Sequence, residues 1–338
     1  MTSFYSGKKV FVAGGAGLCG QAIIPKLVAL GAEVTATEWA HRKIAAAYRD
    51  KLLTIYRHDL HDNRTWQNLV ILRKNIYEGQ DIVFWCAAQV GGAKAIRENP
   101  SEMIHYNLEM SSRNIRAAAQ AGVKRFCYIS SSYVYPDLPY PAKETDIDSG
   151  DVPYIHYGLG WIKRYMETLL RHYHMTTQMK AAIIRPTAIF GPHDDFNLET
   201  CHVVPALIRK FVEGPYPVQL WGNGSEVRQF TFVDDLADAM LAVTENYAVC
   251  DPLNVASDKD RCVSDLAMVI HDSVFGLQEM VARSKSIKDH YRFTGEGPTA
   301  VQSRLVDTSK AKRLLGIECK TSLRKGIEKT VEWYKGQV

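Results

Sequence analysis

The stretch HYGLGWIKRYME, residues 156–167, holds a tyrosine and a lysine whose types could do chemistry together. A phenol takes a proton from an alcohol only if its pKa falls by several units, and a nearby ammonium favours the phenolate. Residues four apart stand over one another on a helix, so such a pair is normally spaced Tyr-x-x-x-Lys. Here Trp161 fills the fourth place after Tyr157, and Lys163 comes two residues later. On a straight helix that sixth position is turned away by about 120°. Gly158 and Gly160 lie in the interval, and each costs a helix interior about 1 kcal/mol relative to alanine. A late helix start or a bulge is therefore expected there, bringing Lys163 round to the phenol.

A second chemical signal lies near the start of the chain. AGGAGLCG places Gly14, Gly17 and Gly20, with Leu18 and Cys19 between them, after an apolar strand and before a helix. A tight turn and close backbone approach need residues without side chains, and the helix N-terminus offers N–H groups to a pyrophosphate. The next strand ends in Glu38. A carboxylate there accepts hydrogen bonds from ribose hydroxyls and repels a 2′-phosphate, which favours NAD over NADP as cofactor. Arg42 and Lys43 follow closely and soften that preference.

The elements that must position these groups alternate along the first half. KKVFVA (8–13), AEVTATE (32–38), LLTIYR (52–57), DIVFWCAA (81–88), KRFCYISSS (124–132) and AAIIRPTAIF (181–190) read as strands. Their near-continuous apolarity suits a sheet covered on both faces. Helical segments such as QAIIPKLVALG and NLEMSSRNIRAAAQAG lie between them, each closed by a glycine. The alternation predicts an α/β fold, a Rossmann-like doubly wound parallel sheet. Residues 1–186 with about 230–257 are expected to form the NAD-binding domain. Residues 187–229 and 258–338 would form a smaller C-terminal substrate-binding lobe over the edge where ligands of open sheets bind.

Composition narrows the class. The chain has 338 residues, 46% of them apolar, enough for one large core or two close-packed ones. Its 41 basic and 37 acidic residues are dispersed, and a net charge of +4 is too mild for a nucleic-acid binder. Seven scattered cysteines without CxxC spacing argue for reduced thiols, against structural zinc and against any metal site. No run approaches the roughly 18 apolar residues of a membrane span, and the N-terminus lacks the apolar stretch of a signal peptide. A cytoplasmic globular protein, with no membrane partner, is expected.

Together with the glycine turn, a series of motifs from about residue 8 to 335 resembles the extended short-chain dehydrogenase/reductases that act on nucleotide sugars. HDL (58–60) looks like their Asp-Leu pair at the adenine, giving Asp59 and Leu60. CAAQVGG (86–92) resembles the loop on the nicotinamide side, giving Ala87 and Ala88, with Val90 towards the substrate. NPSEMIHYN ends in Asn107, matching a structural asparagine. SSSYVYP (130–136) matches the Ser/Thr-bearing strand end and implies Ser131 as the residue that fixes the substrate oxygen, with Ser132 beside it. RPTAIFGP resembles RPxNxYGP, with Ala188 in the asparagine's place. WGNGSEVRQFTFVDD and SRLVDTSKAKRLLG give Arg228 and Arg304 as contacts to the substrate diphosphate. In relatives the separation of the lysine from the later Arg-Pro is that of Lys163 from Arg185, and Lys163-x-x-x-Glu167 repeats a family pattern. This favours Lys163 over Trp161 as the ammonium beside Tyr157.

Two stretches, AAQVGG and GPHDDFNLETCHVVPALIRK, are most similar to the GDP-L-fucose synthase branch. There a cysteine and a histidine move protons at C3 and C5. His202 falls on the histidine, next to Val203, whereas Tyr133 holds the cysteine's place. A phenol, with a pKa near 10, is a poorer proton carrier for carbon acids than a thiol.

The Asp-Glu pair of 4,6-dehydratases is replaced by Ser132-Tyr133. Three readings follow. An NAD-dependent C4 epimerase of a nucleotide-diphosphate sugar is favoured, because an internal redox cycle suits a held NAD. A 4-ketoreductase, with or without C3/C5 epimerisation through His202, is the second. A silent dinucleotide-binding protein is the third. The resemblance also implies a homodimer in which helices 101–121 and 157–174 form a four-helix bundle.

Overall fold

Short apolar runs alternating with amphipathic helices build a parallel sheet in which successive side chains leave on opposite faces. The computed structural model describes residues 3–39, 42–57, 60, 75–98, 100–276, 290–296 and 301–338. In chain order these form β1 (Lys9–Ala13), α1 (Leu18–Ala29), β2 (Glu33–Glu38), α2 (Ala46–Arg49), β3 (Thr54–Arg57), β4 (Ile82–Trp85), α3 (Ala93–Glu98), α4 (Pro100–Gln120) and β5 (Arg125–Ile129). There follow α5 (Tyr157–Thr176), β6 (Lys180–Pro186), β7 (Ile189–Phe190), α6 (Val203–Glu213), β8 (Val218–Leu220), β9 (Val227–Gln229), β10 (Thr231–Phe232) and α7 (Val233–Asn246). The chain ends with β11 (Leu253–Val255), β12 (Asp260–Cys262), α8 (Val263–Phe275), β13 (Tyr291–Phe293), β14 (Ser303–Arg304), α9 (Ser309–Leu315) and α10 (Leu323–Lys335).

The seven-stranded sheet has the order β11-β6-β5-β4-β1-β2-β3, with every neighbouring pair parallel. Val10, Val12, Phe84 and Ile184 face α1 and α7 in one apolar core, and Phe11, Val83, Phe126 and Ile183 face α4 and α5 in another. This is a Rossmann-like doubly wound sheet. Its strand order reverses between β1 and β4, and the crevice outside their carboxyl ends is where such sheets bind ligands.

A third core, built from α6, α8, α10 and the small strands, forms the lobe. Two differences from expectation have physical reasons. The run 181–190 is two strands, because Thr187 donates to the Gln229 carbonyl at 2.7 Å and β7 then pairs with β10 instead of continuing the sheet. Helix α9, expected in the lobe, packs on β11 and α7 and places Ala311 in the first sheet core. Among the described residues, no helix is long and apolar enough to cross a membrane.

Candidate active site

The turn after β1 has no room for a side chain at Gly14 or Gly20. Gly14 has φ +73°, and a Cβ there would lie 2.8 Å from the Ala87 backbone nitrogen; at Gly20 it would lie 2.3 Å from the Gly14 carbonyl oxygen. At Gly17 an added Cβ would meet only the Gly14 oxygen, at 3.4 Å. The Gly14 N–H donates to Thr37 Oγ1 at 2.8 Å, tying β1 to β2. The result is a bare backbone cradle at the N-terminus of α1, formed by Gly17, Leu18, Cys19 and Gly20, which fits a dinucleotide pyrophosphate.

Glu38 ends β2 as the sequence suggests, but it is only 3% exposed and already engaged. Its Oε1 accepts from the Ile44 N–H at 2.8 Å and from Arg49, while Arg57 stands 3.8 Å from Oε2. Asp59 lies outside the described residues. Leu60 is buried, and its carbonyl accepts from Asn114. The loop after β4 is pinned by Asn107, whose Oδ1 accepts from the Gln89 N–H and whose Nδ2 donates to the Gln89 and Met103 carbonyls. That loop holds Ala87 against the glycine turn, with Ala88 next and Val90 exposed.

At the end of β5, Ser131 caps a 3-10 turn, its Oγ accepting from the Tyr133 N–H at 3.1 Å; Ser132 is buried. Lys163 comes up from α5 to the same strand end. It donates to the Ile129 carbonyl at 2.7 Å and lies 4.8 Å over the Tyr128 ring. Burial pushes its ammonium down to about 8, with the Glu167 charge opposing. Trp161 points elsewhere and donates to Asp151 at 3.0 Å. Helix α5 is regular from its first residue, so no bulge turns Tyr157 towards Lys163. The Tyr157 ring is 46% exposed and lies edge-on to Trp161 at 6.2 Å.

Tyr133 is a half-buried phenol in the 3-10 turn that follows β5. His156 stacks on its ring at 4.2 Å, and the Arg304 guanidinium lies 4.5 Å from the ring centre. Burial pushes the His156 imidazole down to about 3, helped by the Arg304 and Arg228 charges, so it is neutral. Burial likewise pushes Arg304 down to about 10. Arg304 and Arg228 are cross-strand neighbours on β14 and β9. Arg228 donates to the Val227, Gln302 and Val301 carbonyls, whereas Arg304 Nη2 and His156 Nδ1 are buried without a partner among the described residues.

One segment bridges the crevice. At its start Asp195 pairs with Arg42 beyond β2 at 3.1 Å. At its end Glu199 pairs with Lys94, and the Thr200 carbonyl accepts from the Gly92 N–H at 2.8 Å, beyond β4. Because β4, β1 and β2 are adjacent, residues 194–201 cross above the glycine turn of β1. His202 stands at the N-cap position of the following helix, without a side-chain hydrogen bond to it, and precedes Val203. Burial lowers the His202 pKa, and the Asp195 charge opposes this.

The family model described as the NAD dependent epimerase/dehydratase family matches residues 10–256. The chain belongs to that family. Its members are NAD(P)-dependent epimerases and reductases, so this chain is an enzyme of that class. It is 30% identical over 334 residues to a probable GDP-L-fucose synthase 1 of Oryza sativa subsp. japonica, covering 97% of this chain and 92% of that one. A UDP-glucose 4-epimerase from Thermotoga maritima, solved with UDP-glucose, superposes with a TM-score of 0.78 at 24% identity, covering 97% and 99% of the two chains. A GDP-L-fucose synthetase from Naegleria fowleri bound to NADP gives 0.78 at 21% identity, covering 99% and 95%.

Sequence reasoning did not single out His156, Asp194 or the Glu167–Arg185 pair as interacting groups. His156 stands directly before Tyr157, and Asp194 lies in the GPHDDF run. The stacking partner of His156, Tyr133, comes from a distant segment that no local pattern displays.

Proposed function

We propose that this enzyme inverts C4 of a nucleotide-diphosphate hexose or heptose through a transient 4-keto sugar. NAD, held by the glycine turn, supplies the chemistry of accepting the C4 hydride and returning it. The observation that carries the reading is the bridging segment 194–201, fixed at both banks of the crevice. A held cofactor suits an internal redox cycle that consumes no reductant.

In this reading Ser131 Oγ fixes O4, and the Tyr133 phenol takes and returns its proton. Lys163 supplies positive charge at the end of β5. Arg304 grips the diphosphate while Arg228 braces the neighbouring strand. Tyr157 stands with Trp161 and Tyr165 as an aromatic ridge, each 43–52% exposed at successive turns of α5. That ridge supports a homodimer through α4 and α5. A cytoplasmic location fits this chemistry.

The test uses nucleotide sugars deuterated at C4 with no cofactor added. C4 inversion with deuterium retained at C4 and no net NADH supports the reading; turnover only with added reduced cofactor and a 4-keto sugar overturns it. The family's fucose synthases favour a second reading, 3,5-epimerisation with 4-reduction through His202. Solvent deuterium entering at C3 or C5, and lost in His202→Asn, would establish it.

A further inference from the structure

A cavity of about 540 Å³ opens in the seam between the sheet and the lobe, within the ~300–1,000 Å³ of ordinary small-ligand sites. It is lined by residues 254–259 at and after the end of β11, by α9, and by residues 317–324 leading into α10. Ala311 joins it to the sheet core, and Phe230 and Leu323 join it to the lobe core. The residues assigned to cofactor and sugar stand elsewhere: neither the glycine turn nor Ser131, Tyr133, Lys163, Arg228 or Arg304 lines it.

Positive charge collects in this cavity. Lys259, Arg261, Lys312, Lys320 and Arg324 line it against two acids, Asp258 and Glu318. Lys312 is closed by Glu318 at 2.5 Å, and Arg324 pairs with Asp272 at 3.0 Å. Glu318 is held below the usual carboxylate range by Lys312 first, with Lys320 adding. Among the described residues Lys259 and Lys320 are in no ion pair, and the Arg261 guanidinium donates to the neighbouring Asp260 carbonyl at 2.9 Å. The surplus is local. Residues 309–338 hold eight basic and three acidic residues, an excess larger than the +4 of the whole chain. Apolar surface from Phe230, Val269, Ile317 and Leu323 lines the same space. A seam that served only to join sheet and lobe would close over that surface and pair those cations.

We propose that this cavity is a second nucleotide site, binding a nucleoside polyphosphate outside the crevice. Lys259, Arg261 and Lys320 meet the phosphates, and the N-terminus of α10 in the cavity wall adds partial positive charge. The apolar side chains take the face of the nucleoside. A free phosphate would use the cations and leave the apolar wall wet.

The experiment is calorimetric titration of the purified full-length protein with ATP, without magnesium and with NADH at saturation to fill the glycine turn. Wild type should bind ATP under these conditions. Lys259→Glu combined with Lys320→Glu reverses two exposed charges that touch neither cofactor nor sugar. It should weaken ATP by about tenfold or more and leave sugar turnover unchanged. Arg304→Met, which removes the contact assigned to the substrate diphosphate, should keep the ATP binding that the double variant loses. Thermal melting of each variant reports whether it folds. Unchanged ATP affinity in the folded double variant overturns the proposal, and loss in Arg304→Met instead would put the nucleotide in the crevice. Tripolyphosphate bound as tightly as ATP would remove the nucleoside from the assignment, because the apolar wall would then contribute nothing. No ATP binding by wild type also overturns the proposal, and C4 inversion measured in parallel stands or falls separately.

Discussion

Tyr157 and Lys163 share helix α5 but not a face, and the residue one turn ahead of Lys163 is Leu159. Lys163 reaches the sheet and the Ile129 carbonyl, while Tyr157 lies against Trp161 in solvent. The two glycines between them serve packing. A Cβ at Gly158 would fall 2.1 Å from Ile104 Cδ1 of α4, and one at Gly160 would fall 2.4 Å from the Tyr133 carbonyl oxygen.

The first prediction concerns the lysine. Lys163→Met should lower turnover by roughly 100-fold or more, the scale of a lost acid–base or charge partner. Trp161→Phe, which loses the hydrogen bond to Asp151 and keeps an aromatic ring beside Tyr157 and Arg164, should change turnover by a few-fold at most. A stability signature accompanies this. The Lys163 pKa is about 8 when folded against 10.5 as the ordinary value. Between those values the unfolded chain binds more protons, so stability rises with pH across that window. Denaturant melts of wild type should show that rise, and Lys163→Met should lack its share.

The second separates the two phenols. Tyr133→Phe should reduce turnover by about 100-fold, whereas Tyr157→Phe should cost less than tenfold. Sedimentation belongs beside the kinetics, because Tyr157 stands on the ridge assigned to the dimer. Weakened association with turnover largely kept is the expected result for Tyr157→Phe. The reverse ranking would return the proton transfer to Tyr157.

Cofactor preference gives a third. Glu38 is held between the Ile44 N–H and Arg49, with Arg57 further off. Glu38→Ala should narrow the gap between NADH and NADPH binding by leaving these cations to meet a 2′-phosphate. It should also lower the melting temperature, since Arg49 and a buried N–H lose their acceptor. Tighter NADPH than NADH binding by wild type would remove the role given to this carboxylate.

A fourth concerns the strut between α5 and β6. Arg185 donates to Glu167 from Nη2 at 2.6 Å and from Nε at 3.0 Å, and from Nη1 to Tyr135 and the Glu144 carbonyl. Both partners are at most 3% exposed. Removing one side of a buried pair leaves the other charge unpaired, so Glu167→Ala should cost about 3–5 kcal/mol in denaturant unfolding. Arg185→Met with Glu167→Met should recover much of that loss.

These residues show what the chain itself made legible. The strands, the glycine turn and Glu38 follow from local patterns whose physics is local: alternating faces, missing side chains, a strand end. Lys163 is favoured over Trp161 because its separation from Arg185 is the one found in the family the sequence resembles, and it reaches the end of β5. The facing of Tyr157 could not be read, since it depends on Ile104 and the Tyr133 backbone meeting two glycines from other elements.

The last prediction tests the bridge over the crevice by comparing its two banks. On the β2 bank Arg42 pairs with Asp195, and the Arg42 side chain is 45% exposed. Exposed pairs are worth about 0–1 kcal/mol, so Arg42→Met should speed cofactor release by at most about fivefold. On the β4 bank the fit is steric. A Cβ at Gly92 would lie 2.1 Å from the Cys201 carbonyl oxygen, a backbone atom that cannot swing aside as a side chain would. Gly92→Ala must therefore push the segment off the crevice and break the Gly92–Thr200 hydrogen bond. Stopped-flow displacement of bound NADH should show a much larger acceleration for Gly92→Ala than for Arg42→Met. If the enzyme cycles a retained cofactor, Gly92→Ala should also begin to need added NAD for sustained C4 inversion. Equal release rates in wild type and Gly92→Ala would mean that residues 194–201 do not hold the cofactor, and the case for an internal cycle would lose its structural support.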